Sequence, residues 1–251
     1  MSLNASIIPR LYALIGSVLM AACACASVAV AQGRGWVWQN PLPQGNAISA
    51  VRFAADKRHG WAIGADGVIL RTDDGGFGWE SQKSPALTNL YGLYVKDRKQ
   101  AVAVGSRGVV VTTENGGERW TLRATNVRDH LYGVTFVGDG SKHGWAVGTY
   151  GQIVATSDGG RTWTQQLSGV RAHLFAVSFA DARTGVAVGE RGTLLVTDDG
   201  GACWEIQPTA TELPLTSVAF AGTSQAAVAV GYGGLVMRTE DGGKTWARVD
   251  T

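Results

Sequence analysis

One eight-residue segment occurs five times, and no other feature of the chain narrows its fold as much. The copies are TDDGGFGW (72–79), TENGGERW (113–120), TSDGGRTW (156–163), TDDGGACW (197–204) and TEDGGKTW (239–246). Their closing tryptophans, Trp79, Trp120, Trp163, Trp204 and Trp246, are almost evenly spaced. A second signature, AIGADG, AVGSRG, AVGTYG, AVGERG and AVGYGG, begins its glycines at Gly64, Gly105, Gly148, Gly189 and Gly231, with the same four intervals. Two independent markers on one period define a repeat protein, and a period of about 40 residues lies in the propeller range.

Each unit divides into four short apolar segments; in the third copy they are LYGVTFV, GWAVG, QIVATS and WTQQL. They are rich in β-branched and aromatic residues and bounded by Gly, Asp, Asn or Ser, the pattern of short strands between turns. Thirty-five glycines against six prolines suit many tight turns. A four-stranded sheet of this size cannot bury both faces alone, so neighbouring units must stack, and radial stacking leaves only short edges. The expected fold is all-β: a β-propeller of four-stranded antiparallel blades, with five complete repeats ending near residues 80, 121, 164, 205 and 247.

The eight-residue segment lies on the turn between the third and outermost strands. Its spacing, T-x-D-x-G-x-T-W, is that of the Asp-box or bacterial neuraminidase repeat. A short carboxylate such as Asp158 accepts turn N–H groups, paired glycines supply positive φ, and the tryptophan offers a large ring to the blade interface. Asp74, Asp158, Asp199 and Asp241 hold the carboxylate position, and Asn115 replaces it in the second copy. Trp79, Trp120, Trp163, Trp204 and Trp246 close the five boxes. An amide can still accept hydrogen bonds but cannot serve as a catalytic or metal-binding carboxylate, so the boxes are expected to be structural.

With GWAVGxxGxIxxTxDGGxTW recurring on this period, residues Trp36 to Val249 resemble the photosystem II assembly and stability factor family. That resemblance implies a non-enzymatic propeller that docks on membrane-protein partners during assembly. Photosynthetic members of the family are seven-bladed, whereas this chain has five complete units. In addition, WVWQNPLPQGNAISAVRF aligns with TWTQQLSGVRAHLFAVSF, making Trp36–Gln39 an outermost strand without its blade. Either five blades close with a spare strand or the blades form an open, incomplete arc. The arc is the preferred expectation, because the last unit already owns its outermost strand.

The segment 1–31 differs in kind. It contains no acidic residue and one arginine, Arg10, followed by an apolar run from Leu11 that ends in AVA at Ala31. Positively charged start, apolar run and A-x-A ending describe a secretory signal, with 1–31 removed and 32–251 forming the exported domain. A lipoprotein site at Cys23 is the alternative. Cleavage would leave Cys203 as the single thiol, and hence a fold without internal disulfides. With 22 basic and 20 acidic residues, the charge is too balanced to suggest nucleic-acid binding.

In a propeller, the turns between second and third strands share one face with the loops that link consecutive blades. The Asp-boxes occupy the other face. On the first face the sequence varies over a constant frame, the usual location of binding residues. The candidates gathered there are Arg107, Arg128, His130, Tyr150, Arg171, His173, Arg191 and Tyr232. Arginine and tyrosine favour interface hot spots, and guanidinium suits carboxylates, so the expected partner is an acidic loop of a membrane or envelope protein complex. Solvated loop charge is the competing explanation. Neither a metal nor another cofactor is expected, because His130 and His173 have no nearby carboxylate pair. No catalytic residue is expected either; Cys203 has no neighbouring histidine. Two alternatives stay open: a sialidase-type glycosidase, disfavoured because no Arg-Ile-Pro motif is present, and a glycan-binding propeller using Tyr150 and Tyr232.

Overall fold

A computed structural model describes residues 45–222 and 225–249. The expected signal segment 1–31, the Cys23 alternative and the strand expected at Trp36–Gln39 lie outside the described residues. Alternating small and β-branched residues bounded by glycine make each repeat a four-stranded antiparallel meander. The first blade comprises β1 (Ile48–Phe53), β2 (Gly60–Gly64), β3 (Ile69–Thr72) and β4 (Glu80–Gln82). The second comprises β5 (Leu90–Val95), β6 (Ala101–Gly105), β7 (Val110–Thr113) and β8 (Thr121–Arg123). The third is β9 (Leu131–Val137), β10 (His143–Gly148), β11 (Ile153–Thr156) and β12 (Thr164–Gln166). The fourth is β13 (Leu174–Phe179), β14 (Gly185–Gly189), β15 (Leu194–Thr197) and β16 (Glu205–Ile206). The fifth is β17 (Leu215–Phe220), β18 (Ala227–Gly231), β19 (Val236–Thr239) and β20 (Ala247–Arg248).

Blades stack in chain order: β1 lies against β5, β5 against β9, β9 against β13, and β13 against β17. The second strands of the three inner blades are buried almost throughout, because both of their faces meet a neighbour. One face of β6, Val102 and Val104, packs on Leu131, Ala146 and Trp163 of the third blade. The other, Ala101 and Ala103, packs on Trp61 and Ile63 of the first. Among the described residues no strand of the fifth blade stacks on the first in this way. The outer faces record it: Ile48, Val51 and Phe53 are each 40% exposed, whereas Leu131 and Phe136, at matching positions of the third blade, are buried. Val228 and Val230 of the fifth blade are 41% and 39% exposed, against fully buried Val186 and Val188 in the fourth.

In the Asp-box turns the carboxylate accepts from turn groups, and a threonine adds a second anchor. In the third blade, Asp158 accepts hydrogen bonds from the backbone N–H of Arg161 and Thr162 at 2.9 and 3.0 Å, and from the Thr162 hydroxyl at 2.6 Å. The buried Thr156 hydroxyl donates to Asp158 at 2.8 Å and accepts from Gly160 N–H at 3.0 Å. Threonine repeats that double role in all five boxes. Gly159 and Gly160 take φ of +82° and +91°, which side-chain-bearing residues resist. Each box is also bonded to the turn between the first two strands of its own blade, as Gly159 N–H is to Lys142 C=O at 2.9 Å.

Two glutamines join blades across these turns. Gln82 Oε1 accepts from the indole N–H of Trp61 and of Trp120, at 3.1 and 2.9 Å, while its amide donates to Gly116 C=O at 3.1 Å. Gln166 accepts from Trp204 at 3.3 Å and donates to Gly200 C=O at 3.0 Å. Trp145 stacks on Phe179 with ring centroids 3.5 Å apart and donates its N–H to Gly200 C=O. Between the second and third blades Lys96 serves instead. Its ammonium sits 4.3 Å above the Phe136 ring and donates to Gly159 C=O, and burial pushes its pKa down.

Candidate functional site

Every second-to-third strand turn begins with an extended glycine and closes on a single turn of 3-10 helix. The middle residue of that turn is left-handed: Asp66, Arg107, Tyr150 and Arg191 have φ of 53°, 56°, 54° and 53°, and Gly233 takes 66° in the fifth blade. Glycine would be the easy choice for this geometry, so four non-glycine residues there are notable. Arg107, Tyr150 and Arg191 thus occupy one structural position in three consecutive blades, each exposed. Tyr232, 64% exposed, precedes the left-handed residue of its turn and is equivalent to Ser106 and Thr149. Arg128 and Arg171 are exposed on the blade-linking loops of the same face. The candidates therefore share one face, away from the Asp-boxes.

His130 and His173 are half-buried and differ from the other six. They immediately precede the inner strands β9 and β13. The backbone C=O of each accepts from its own blade's turn, at Thr149 N–H and Glu190 N–H. The ring Nδ1 of each reaches the preceding blade's turn. His130 Nδ1 accepts from Arg107 N–H at 3.2 Å, and His173 Nδ1 accepts from Tyr150 N–H at 3.0 Å. Asn89 performs the same task one blade earlier, its side-chain oxygen accepting from Asp66 N–H at 3.1 Å. The fourth loop has Pro214 at this position, which offers no side-chain acceptor.

Arg123, Arg161 and Arg238 lie near carboxylates, the shortest contacts being Arg161–Glu114 at 3.1 Å and Arg238–Glu240 at 2.5 Å. Among the described residues, Arg107, Arg128, Arg171 and Arg191 form no ion pair. Glu190, which precedes Arg191 in the chain, accepts from His173 N–H at 3.4 Å. Tyr150 and Arg171 border a shallow cleft of about 270 Å³ with Gln152, Gln165 and the exposed Leu167.

Sequence reasoning missed a row of aromatic rings beside these turns. Each inner strand carries a register shift at its loop-face end, after Ile48, Leu90, Leu131, Leu174 and Leu215. Such irregularities commonly re-aim a side chain at a rim. The residues that follow include Tyr91, Tyr132 and Phe175, with ring centroids 5.4 and 6.1 Å apart along the row. The Ser106 hydroxyl donates to Tyr91 Oη at 3.0 Å. Their recurrence at the repeat period was the available signal, hidden because strand aromatics ordinarily signify core.

No three His, Cys, Asp or Glu side chains converge as a metal site among the described residues. No helix among them is long and apolar enough to cross a membrane. His59 is partly covered and bonded to Asp56 at 2.7 Å. Backbone N–H groups of His59 and Arg58, followed by the His59 ring, lower the pKa of the Asp56 carboxyl to about 2.

The family model described as photosynthesis system II assembly factor YCF48 matches residues 29–122 and 164–251. A solved structure of YCF48 bound to a D1 peptide superposes with a TM-score of 0.62 at 20% identity, covering 82% of this chain and 69% of that one. A GH74 enzyme from Niastella koreensis has a TM-score of 0.63 at 17% identity, with 80% of this chain matching 38% of the enzyme. U3-55K reaches 0.67 at 9% identity, covering 84% and 68% of the two chains. None of the curated proteins compared matches the chain. At such identities the structural likenesses establish the propeller fold and nothing finer.

Proposed function

We propose, from the premise that this chain belongs to the photosynthesis system II assembly factor YCF48 family, that it is an exported, non-enzymatic propeller scaffold. It docks on a membrane-protein complex during assembly, and the docking surface is the loop face. The observation that carries this reading is the gathering of exposed Arg107, Arg128, Arg171 and Arg191 with exposed Tyr150 and Tyr232 on one face, where the four arginines form no ion pair among the described residues. Guanidinium groups in this state suit a partner's carboxylates, because planar N–H pairs match them in a bidentate manner. Tyr150 and Tyr232 add rigid apolar area beside them. A relative solved with a D1 peptide makes a peptide segment the reasonable class of ligand. Export rests on the N-terminal composition, with cleavage after Ala31.

Replacing Arg107, Arg128, Arg171 and Arg191 together by glutamate tests the reading. In-cell crosslinks to an envelope membrane protein should be lost while the thermal midpoint stays near that of the parent. Retained crosslinks would remove this face from consideration. Turnover of fluorogenic glycosides would contradict the non-enzymatic part.

A further inference from the structure

We infer that His130 and His173 are positioning residues that make the docking face's presentation depend on pH, an inference that rests on the docking reading above for its consequence but not for its geometry. Each imidazole uses the Nδ1 lone pair to hold the backbone N–H of a left-handed residue whose side chain is a proposed contact, Arg107 or Tyr150. Nδ1 can accept only in the neutral ring, with the proton on Nε2. Protonation turns Nδ1 into a donor facing a donor, and the hydrogen bond is lost. Histidine is the side chain that ordinarily changes charge between about pH 5 and 8, so mild acidification is the perturbation that tests the bond.

The surroundings confine the effect to the turn's central peptide. In the second blade, Ser106 N–H bonds to Asn89 C=O and Val109 N–H to Ser106 C=O; in the third, Gln152 N–H bonds to Thr149 C=O. None of these involves an imidazole, so the blades persist when the rings protonate. The groups facing His130 are Tyr91, Tyr132 and Arg107, with Arg128 and Asp129 on its own loop. Those facing His173 are Tyr150 and Glu190, with Arg171 on its loop. With the rings neutral, Arg107 and Tyr150 are held in one left-handed conformation. With the rings protonated, their backbone loses a restraint that a non-glycine residue needs there. Asn89 supplies an internal control, because an amide oxygen holds Asp66 in the same geometry without titrating.

Amide hydrogen-exchange protection measured by NMR on the full chain tests this directly. Between about pH 8 and about pH 5.5, protection of the Arg107 and Tyr150 amides should fall about fivefold, the size expected for one ordinary hydrogen bond. Protection of the Asp66 amide should not change. His130→Asn should abolish the fall at Arg107 and leave it at Tyr150; His173→Asn should do the reverse. Protection at Arg107 and Tyr150 that tracks Asp66 throughout overturns the inference, as does a fall that survives the asparagine substitutions. A fall at one turn alone overturns it for the other. No partner is needed, so failure here leaves the docking reading standing, and failure of the charge-reversal crosslinks leaves the histidine locks standing.

Discussion

Asp158 accepts four hydrogen bonds, and its neighbour in the series, Asn115, manages with an amide. Desolvation alone would raise the pKa of Asp158. Hydrogen bonds from the Thr162 hydroxyl and N–H, then from Thr156 and Arg161, outweigh it and hold the carboxyl well below the usual range. Asp74, Asp199 and Asp241 are lowered as well, the first two chiefly by a backbone N–H and the third by the Thr245 hydroxyl. A folded-state pKa below the unfolded value, about 3.9 for aspartate, means stability that is present above that value and lost as pH falls through the folded one. Asp158→Asn should therefore flatten the decline of the thermal midpoint below about pH 4 and leave the profile above about pH 5 parallel to the parent's. At neutral pH it should cost less than Asp158→Ala, which strips every acceptor and costs about 1–2 kcal/mol. An asparagine variant with the parent's acid profile would show that the carboxylate charge contributes nothing.

At the scale of the blade, stability depends on contacts that span repeats. Gln82 satisfies two indoles and Gln166 one, because Trp145 uses Gly200 C=O instead. Gln82→Ala leaves the fully buried Trp61 N–H without its acceptor, so it should destabilise by about 1–3 kcal/mol. Gln166→Ala should cost less, since Trp204 lies nearer the surface; equal losses by denaturant unfolding would contradict this ordering. Trp61 and Trp145, Gln82 and Gln166, and His59 and His143 each recur in the first and third blades, whereas Val102 and Val186 stand where the second and fourth would carry tryptophan. Blade interfaces consequently alternate between a tryptophan type and a valine type. Fold and turn roles were legible because box and glycine markers are local chemistry that repeats. The joints were not, because Gln82 reaches Trp120 38 positions away and Trp145 reaches Gly200 55 away. No spacing rule pairs such residues until the blades are stacked. For the same reason the acceptor role of the histidines was not legible: it depends on a neighbouring blade's backbone.

Across the whole molecule, the two faces of the propeller are built differently. One is fixed by five nearly identical boxes whose side chains bond to their own turns. The other carries variable turns, with exposed tyrosines, an aromatic row and arginines that meet no carboxylate among the described residues. That division was legible from the repeat alone, which placed all eight candidates on one face; the aromatic row and the histidine locks needed coordinates. A photo-crosslinking amino acid placed at Tyr150 on the loop face, compared with one at Arg161 beside the third Asp-box, tests the division most directly. In cells of the native host, the probe at position 150 should capture a membrane protein and the probe at position 161 should not. Capture from position 161 alone, or equally from both positions, would contradict the assignment of docking to the loop face.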